Sequence, residues 1–258
     1  MKALLTGATG AIGAAIAAGL LKADCDLTFI ARDKEKAEKL LTFLQSISTK
    51  VKYILLDLSD KMAIYNLAEK WQGALNILIN DAACAPRRKI PTKTGVETMW
   101  AVNVLSYYWT MDAFGEKMTK TAENKRARIV NVASYYAGGL NLNDPEYKNT
   151  VYNNDSAYRA SKQADRMLTK GFADLFKSLE INVYACHPGD VNSRLSNDLG
   201  FGGHQSPSQG AATPLYCALS EELEETSGVY LARKIIEDCP YMKNEEQVKV
   251  LMDLCSRY

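Results

Sequence analysis

Hydrophobic positions gather in seven short runs, at residues 3–5, 27–30, 51–56, 75–79, 129–132, 181–185 and 228–231. The runs are rich in Val, Ile, Leu and Tyr and show little polar alternation. That pattern suits strands covered on both faces, as in a parallel sheet. Longer stretches with helical spacing separate them. Residues 11–22 are rich in Ala and Leu, and residues 34–44 place Ala37, Leu40, Leu41 and Leu44 on one face. Residues 60–71 open with an acidic cap candidate, and two longer helices are expected from 96 to about 122 and from 156 to 179. Strand and helix in repetition predict one α/β domain. Its expected form is a doubly wound, mostly parallel sheet of about seven strands with helices on both faces.

Two stretches, 137–156 and 196–208, read as loops because they hold Gly or Asn clusters and Pro. The run Lys125-Arg126-Ala127-Arg128 reads as a solvated turn before the fifth strand. Composition adds bounds. A length of 258 residues suits one large domain, and a net charge of +1 gives no bulk attraction to nucleic acid or an acidic membrane. Six cysteines without a Cys-x-x-Cys pair, beside two histidines, predict reduced thiols and no metal site. A strand beginning at Lys2 leaves no room for a signal peptide, and the apolar stretch 11–21 is too short to span a bilayer. The expectation is a cytoplasmic protein with no membrane anchor.

Charge chemistry concentrates at two places. The first is Thr6-Gly7-Ala8-Thr9-Gly10-Ala11-Ile12-Gly13, between the first strand and first helix. Glycines there let the backbone turn tightly and approach a pyrophosphate, while the helix N-terminus offers unpaired N–H groups. Together with the alternation above, this predicts a dinucleotide-binding site of the Rossmann type. The second strand runs into Ala31-Arg32-Asp33. An acid directly at the strand end would bond the ribose hydroxyls of NAD, whereas a guanidinium suits a 2′-phosphate. NADP(H) is therefore favoured over NAD(H), and Asp33 reads as a helix cap.

The second place is Tyr158-Arg159-Ala160-Ser161-Lys162. On a helix, Tyr158 and Lys162 share a face. A free phenol has a pKa of about 10, which a nearby ammonium lowers toward a useful acid–base range. Tyr158 is thus the candidate proton donor to a carbonyl oxygen, with Lys162 tuning it. Ser134, at the carboxyl end of the expected fifth strand, faces the ligand crevice and can bond the same oxygen.

With these residues in view, the chain resembles the short-chain dehydrogenase/reductase family. The resemblance rests on residues 6–13, Asp57-Leu58, Asn80-Asp81-Ala82-Ala83, Asn103, Ser134, Tyr158 with Lys162, and Pro188-Gly189-Asp190-Val191, in that order. It implies that Asn103, Ser134, Tyr158 and Lys162 are catalytic, with Asn103 holding a water that links Lys162 to solvent. It further implies cofactor contacts from Gly7, Thr9, Gly10, Ala11, Ile12, Gly13 and Arg32, and from Asp57 and Leu58 at the adenine. Asn80 and Ala82 would lie beside the cofactor, with Tyr158 and Lys162 reaching its ribose. Pro188, Gly189 and Val191 would hold the nicotinamide, and Ser193 would bond its carboxamide. Related enzymes pair through their long helices, so the resemblance also implies a homodimer.

Within the family, the chain is similar to the retinol dehydrogenase and WW-domain oxidoreductase group. The wide spacing of Ser134 and Tyr158, the Cys186-His187-Pro188-Gly189 loop and the C-terminal third carry that likeness. Three features depart from the usual pattern: Ala11 stands where Gly is usual, and Asp81 and Ala83 replace an amide and a glycine. The even spacing of Gly7, Gly10 and Gly13 resembles the epimerase-like branch instead. Tyr135, Tyr136, Leu195, Leu199 and Phe201 suggest an apolar pocket under a lid at about 192–210, hence a lipophilic aldehyde, ketone or alcohol as substrate. Two alternatives stay open: an NADP-binding redox sensor with little turnover, and an epimerase or dehydratase.

Overall fold

The computed structural model describes residues 1–119 and 125–258. Its strands are β1 (Lys2–Leu5), β2 (Asp26–Ala31), β3 (Val51–Leu55), β4 (Ile77–Asn80), β5 (Ala127–Val132), β6 (Ile181–His187), β7 (Val229–Ala232) and β8 (Ile235–Glu237). They form one sheet in the order β3-β2-β1-β4-β5-β6-β7-β8. Neighbours from β3 through β7 run parallel, and β8 returns antiparallel beside β7.

The seven hydrophobic runs all become strands, and the eighth strand corrects the expected number. Its hairpin turns on Arg233 and Lys234, at φ +52° and +64°. Two-residue turns of this kind favour Asn-Gly or Asp-Gly, so a pair of long cations gives no turn signal.

Alternate strand residues feed two cores. Ala3, Leu5, Ile77, Ile79, Val130 and Val132 face one layer, where α1 (Ala11–Lys22), α2 (Lys34–Gln45) and α7 (Pro207–Leu219) pack. Leu4, Leu78, Ile129 and Val183 face the other. There lie α3 (Lys61–Glu69), α4 (Ser106–Gly115), α5 (Asn154–Leu175) and α9 (Glu245–Ser256). Short helices α6 (Arg194–Asp198) and α8 (Pro240–Lys243) complete the set. Burial on both faces explains why the strand runs lack polar alternation.

The helix expected from residue 96 begins later, as a π-helical segment at Trp100–Leu105 that continues into α4. Glu97 sets this start, because its carboxylate accepts from the Met99 and Trp100 N–H groups at 2.8 and 2.7 Å. The expected end near Ala122 lies outside the described residues. Trp100, Tyr107 and Trp109 from this segment are buried in the chain's own core. Helices α6 to α9 lie outside the expected set, and α6 runs into the start of the stretch 196–208 expected to be loop. The basic run is only partly solvated: Arg128 sits inside β5, 4% exposed, and donates to Glu224 and to the Cys217 and Ser220 carbonyls. Among the described residues, no helix is long and apolar enough to cross a membrane.

A polar ladder crosses the second core. Thr110 donates to Asn80 at 2.8 Å, Asn80 to Asn131 at 3.0 Å, and Asn131 to Thr169 at 2.9 Å. The Thr169 hydroxyl donates in turn to the Asp165 carbonyl at 2.8 Å. All five residues are at most 0% exposed, so each group depends on its neighbour rather than on water. The ladder locks α4, β4, β5 and α5 in one register. Asn131→Leu should therefore lower unfolding free energy by about 2–4 kcal/mol, because it strands Asn80 and Thr169 together. Urea unfolding with an unchanged m-value is the check.

Candidate active site

The sheet reverses its winding between β1 and β4, which leaves a crevice beyond their carboxyl ends. Thr6 ties the two strand ends: its N–H donates to Ile79, and its hydroxyl accepts from the Asp81 and Ala82 N–H groups at 3.1 and 3.2 Å. Gly7, at φ +74°, brings the loop so close that an added Cβ would lie 2.6 Å from the Ala82 nitrogen. A Cβ on Gly13 would lie 2.3 Å from the Gly7 carbonyl oxygen, whereas one on Gly10 would meet only that oxygen, at 3.2 Å. Gly10 and Thr9 are exposed, and Gly10 caps α1 without a side-chain hydrogen bond or an acid in the first turn. The result is an open backbone cradle at a helix N-terminus, which fits a pyrophosphate. Ala11 and Ile12 are half-buried in that first turn.

Around this cradle, Arg32 is exposed directly after β2, with no hydrogen bond or ion pair among the described residues. Asp33 is engaged as the α2 cap, accepting from Lys36 N–H at 3.1 Å. Asp57 accepts from both the N–H and hydroxyl of Ser59, and Leu58 packs against the core. Burial pushes the Asp81 carboxyl up to about 8, against the pull of Lys162.

Across the crevice, Ser134 follows β5; its hydroxyl accepts from the Tyr136 N–H at 3.0 Å and lies close enough to the Tyr158 phenol to lower its pKa. The structure therefore brings Ser134, Tyr158 and Lys162 together. Lys162 is 1% exposed; its ammonium donates to the Val132 carbonyl at 2.9 Å and to Asp165 at 2.8 Å. It also lies over the rings of Tyr107 and Tyr158, at 5.1 and 5.8 Å. Burial pushes the Tyr158 phenol up, Lys162 pulls it down, and Asp165 adds to the rise while the nearby Ser134 hydroxyl opposes it; the net direction is upward. Burial alone would lower the Lys162 pKa, but Asp165 and Tyr158 more than offset it.

Asn103 does not touch Lys162 directly. Its amide accepts from Cys84 N–H at 2.9 Å and donates to the Cys84 carbonyl and the Ser161 hydroxyl. It thereby pins the segment after β4 to the π-helical turn and α5.

Pro188, Gly189 and Val191 follow β6 at the same end of the sheet. Gln205 braces them by accepting from Asp190 N–H at 2.7 Å. The Ser193 hydroxyl is engaged in a capping box with Ser196 at the start of α6, so it is a helix cap in this structure. Leu195 of α6 and Leu199, which caps that helix, pack with Tyr136, Tyr147 and Tyr152 against the cluster that holds Tyr158. Phe201 stacks edgewise on Tyr136, with ring centroids 4.9 Å apart.

Three residues outside the expected site hold its geometry. Arg166 donates twice to the Ser134 carbonyl and lies over the Tyr230 ring at 3.7 Å. Tyr107 donates to the Val132 carbonyl, and Asp165 pairs with Lys162. The signal for two of them was helical spacing: Asp165 and Arg166 stand three and four positions after Lys162, on its face.

Comparison with known proteins gives the following. A family model described as short chain dehydrogenase matches residues 1–200. Retinol dehydrogenase 12 of Mus musculus is 31% identical over 256 residues, covering 93% of this chain and 78% of that protein. Retinol dehydrogenase 11 of Homo sapiens is 30% identical, covering 87% and 74%. Among solved structures, a Mycobacterium paratuberculosis protein superposes with TM-score 0.81 at 21% identity, covering 99% of this chain and 92% of that one. The RhlG/NADP active-site complex of Pseudomonas aeruginosa gives 0.72 at 24% identity, covering 90% and 94%.

Two glycines separate folding from binding in the cradle. Gly10→Ala should leave stability within about 0.5 kcal/mol but weaken dinucleotide binding about tenfold, since its methyl group enters the open cradle. Gly13→Ala should weaken binding and also lower stability by about 1–3 kcal/mol, because its methyl group meets backbone. Urea unfolding and fluorescence titration with the dinucleotide measure both.

Proposed function

The chain belongs to the short-chain dehydrogenase family, and on that premise we propose that it is an NADP(H)-dependent oxidoreductase of lipophilic aldehydes, ketones or the corresponding alcohols. The observation that carries the reading is the grouping of Ser134 with Tyr158, whose ring lies 5.8 Å from the buried Lys162 ammonium, at the carboxyl end of β5. When bound, the nicotinamide supplies or accepts the hydride.

The chain's own groups do the rest. The Ser134 hydroxyl and the Tyr158 phenol converge where a substrate oxygen would lie, so the first orients that oxygen and the second gives it a proton. Lys162 stabilises the phenolate left behind. Asn103 acts here through the backbone it holds. Gly7, Thr9, Gly10, Ala11, Ile12 and Gly13 would carry the pyrophosphate, while Asp57, Leu58, Asn80 and Ala82 would border the adenosine and ribose side. Pro188, Gly189, Val191 and Ser193 would border the nicotinamide. Arg32, exposed and unpaired among the described residues, is placed to meet a 2′-phosphate, and Asp33 does not compete because it caps α2.

The substrate class rests on the wall opposite the cradle. Tyr136, Tyr152, Leu195 and Leu199 give an apolar lining beside Tyr158, with residues 192–210 as its lid. The names of the mammalian relatives refer to retinol, a lipophilic alcohol, which agrees with that lining.

Purified protein should oxidise NADPH with hydrophobic carbonyls, and Tyr158→Phe should lower kcat by about 10²–10⁴-fold while still binding cofactor. Arg32→Ala should raise KM for NADPH about tenfold and leave that for NADH nearly unchanged. Tight cofactor binding without Tyr158-dependent turnover would point to a sensor instead, and isomerisation without net cofactor consumption to an epimerase.

A further inference from the structure

We infer that Asp165 is a positioning residue that keeps the Tyr158 phenol protonated by neutralising Lys162, and so biases the site toward proton donation. The inference rests on the Tyr158–Lys162 reading above. It begins with geometry. Asp165 is 0% exposed and lies three residues after Lys162 on α5. One carboxylate oxygen takes the ammonium at 2.8 Å. The other oxygen is buried and has no hydrogen-bond partner among the described residues.

A hydrogen-bonding role alone would not call for a carboxylate here. The same core already uses neutral amides, Asn80 and Asn131, to join its elements. An amide could also accept a hydrogen bond from Lys162, without the desolvation penalty of a second buried charge. What a carboxylate adds is a negative charge that offsets the ammonium within the same buried cluster. Other groups face this pair from each element around it: Tyr158 on α5, Tyr107 on α4, Asp81 after β4, Cys186 on β6 and Cys255 on α9. The thiols and Tyr107 are held neutral by burial, and Asp81 is shifted toward its neutral form. Burial raises Asp165 too, to about 7 against the pull of Lys162, but it is the carboxylate in direct contact with the ammonium, and it carries its charge over the higher pH range in which Tyr158 titrates.

The chemical consequence concerns direction. With its ammonium neutralised, Lys162 favours phenolate less, and Tyr158 stays protonated to higher pH. In reduction, the phenol gives its proton to the carbonyl oxygen while the carbonyl carbon takes hydride from bound NADPH. In oxidation, the phenolate takes the proton from the alcohol oxygen, so the same effect delays activity to higher pH.

The test is the pH profile of kcat/KM for alcohol oxidation. Asp165→Asn should move the midpoint of its acid limb down by about one to two pH units, and Asp165→Glu should return it most of the way. A loss of rate at every pH with the midpoint unmoved would overturn the inference. Tyr158→Phe separates the two levels. If it retains turnover, the catalytic reading fails; if it abolishes turnover and the Asn limb stays in place, only the Asp165 inference fails. Should the Asn variant not fold, the wild-type protein decides. With tyrosine labelled by ¹³C at Cζ, the Tyr158 signal should show a small step near pH 7 as Asp165 titrates, before its own transition. A flat signal through that range would refute the coupling.

Discussion

A buried ammonium dictates much of this molecule. Lys162 sits at 1% exposure, where an unpaired charge would carry a penalty of several kcal/mol. It is tolerable only because the Val132 carbonyl and Asp165 accept from it and the Tyr107 ring lies beneath it. Those partners belong to β5, α5 and α4, so satisfying one charge fixes three elements. One turn before Lys162 on α5 is Tyr158, and one turn after is Arg166, which grips the Ser134 carbonyl. Lysine and arginine thus clamp successive points along the end of β5, and the serine and tyrosine meet because the clamp leaves them little freedom.

The opposite wall of the crevice follows from a different constraint. In an open parallel sheet covered by helices on both faces the winding must reverse somewhere, and here it does so between β1 and β4. The two strand ends come together at Thr6, and the glycines let backbone lie against backbone. The cradle is therefore built from main chain, which survives changes of side chain. That is why alanine at position 11 is accommodated, half-buried in the first turn of α1. Asp81 is a harder substitution. A carboxyl whose burial shifts it toward the neutral form resembles the amide it replaces in shape and in charge below about pH 8.

The parallel core was legible in the sequence because burial on both faces writes unbroken apolar runs. The residues Ser134, Tyr158 and Lys162 were legible because helix spacing and strand ends dictate which side chains share a face. What escaped notice did so for physical reasons. β8 follows a hairpin on Arg233 and Lys234, whose positive φ angles no local signal announces. α7 carries a readable capping box from Ser206 and Gln209, but Gly210 and Pro214 within it imitate a loop. Arg128 looked like surface because its partner Glu224 is remote in sequence. Ser193 had a local competitor for its hydroxyl in Ser196, three residues away, and the cap took it. Asp165 was hidden by its own neighbour: a charge three residues from a lysine reads as a solvated helix pair until the core closes around both.

The proposed lid would link the two walls. α6 is only five residues long, and a helix so short cannot persist by its own hydrogen bonds. Its Ser193–Ser196 capping box and the contacts of Leu195 and Leu199 with the tyrosines must hold it. Those apolar contacts lie against the very wall a lipophilic substrate would occupy. Substrate and lid then compete for one surface, or the substrate inserts between them and extends it. In either case the stability of the lid depends on the apolar character of what enters. A polar ligand would expose the leucines without replacing their contacts, whereas an apolar one restores the contacts it displaces. On the proposed reading, selection for lipophilic molecules would be a property of how residues 192–210 close, in addition to the shape of the pocket beneath them.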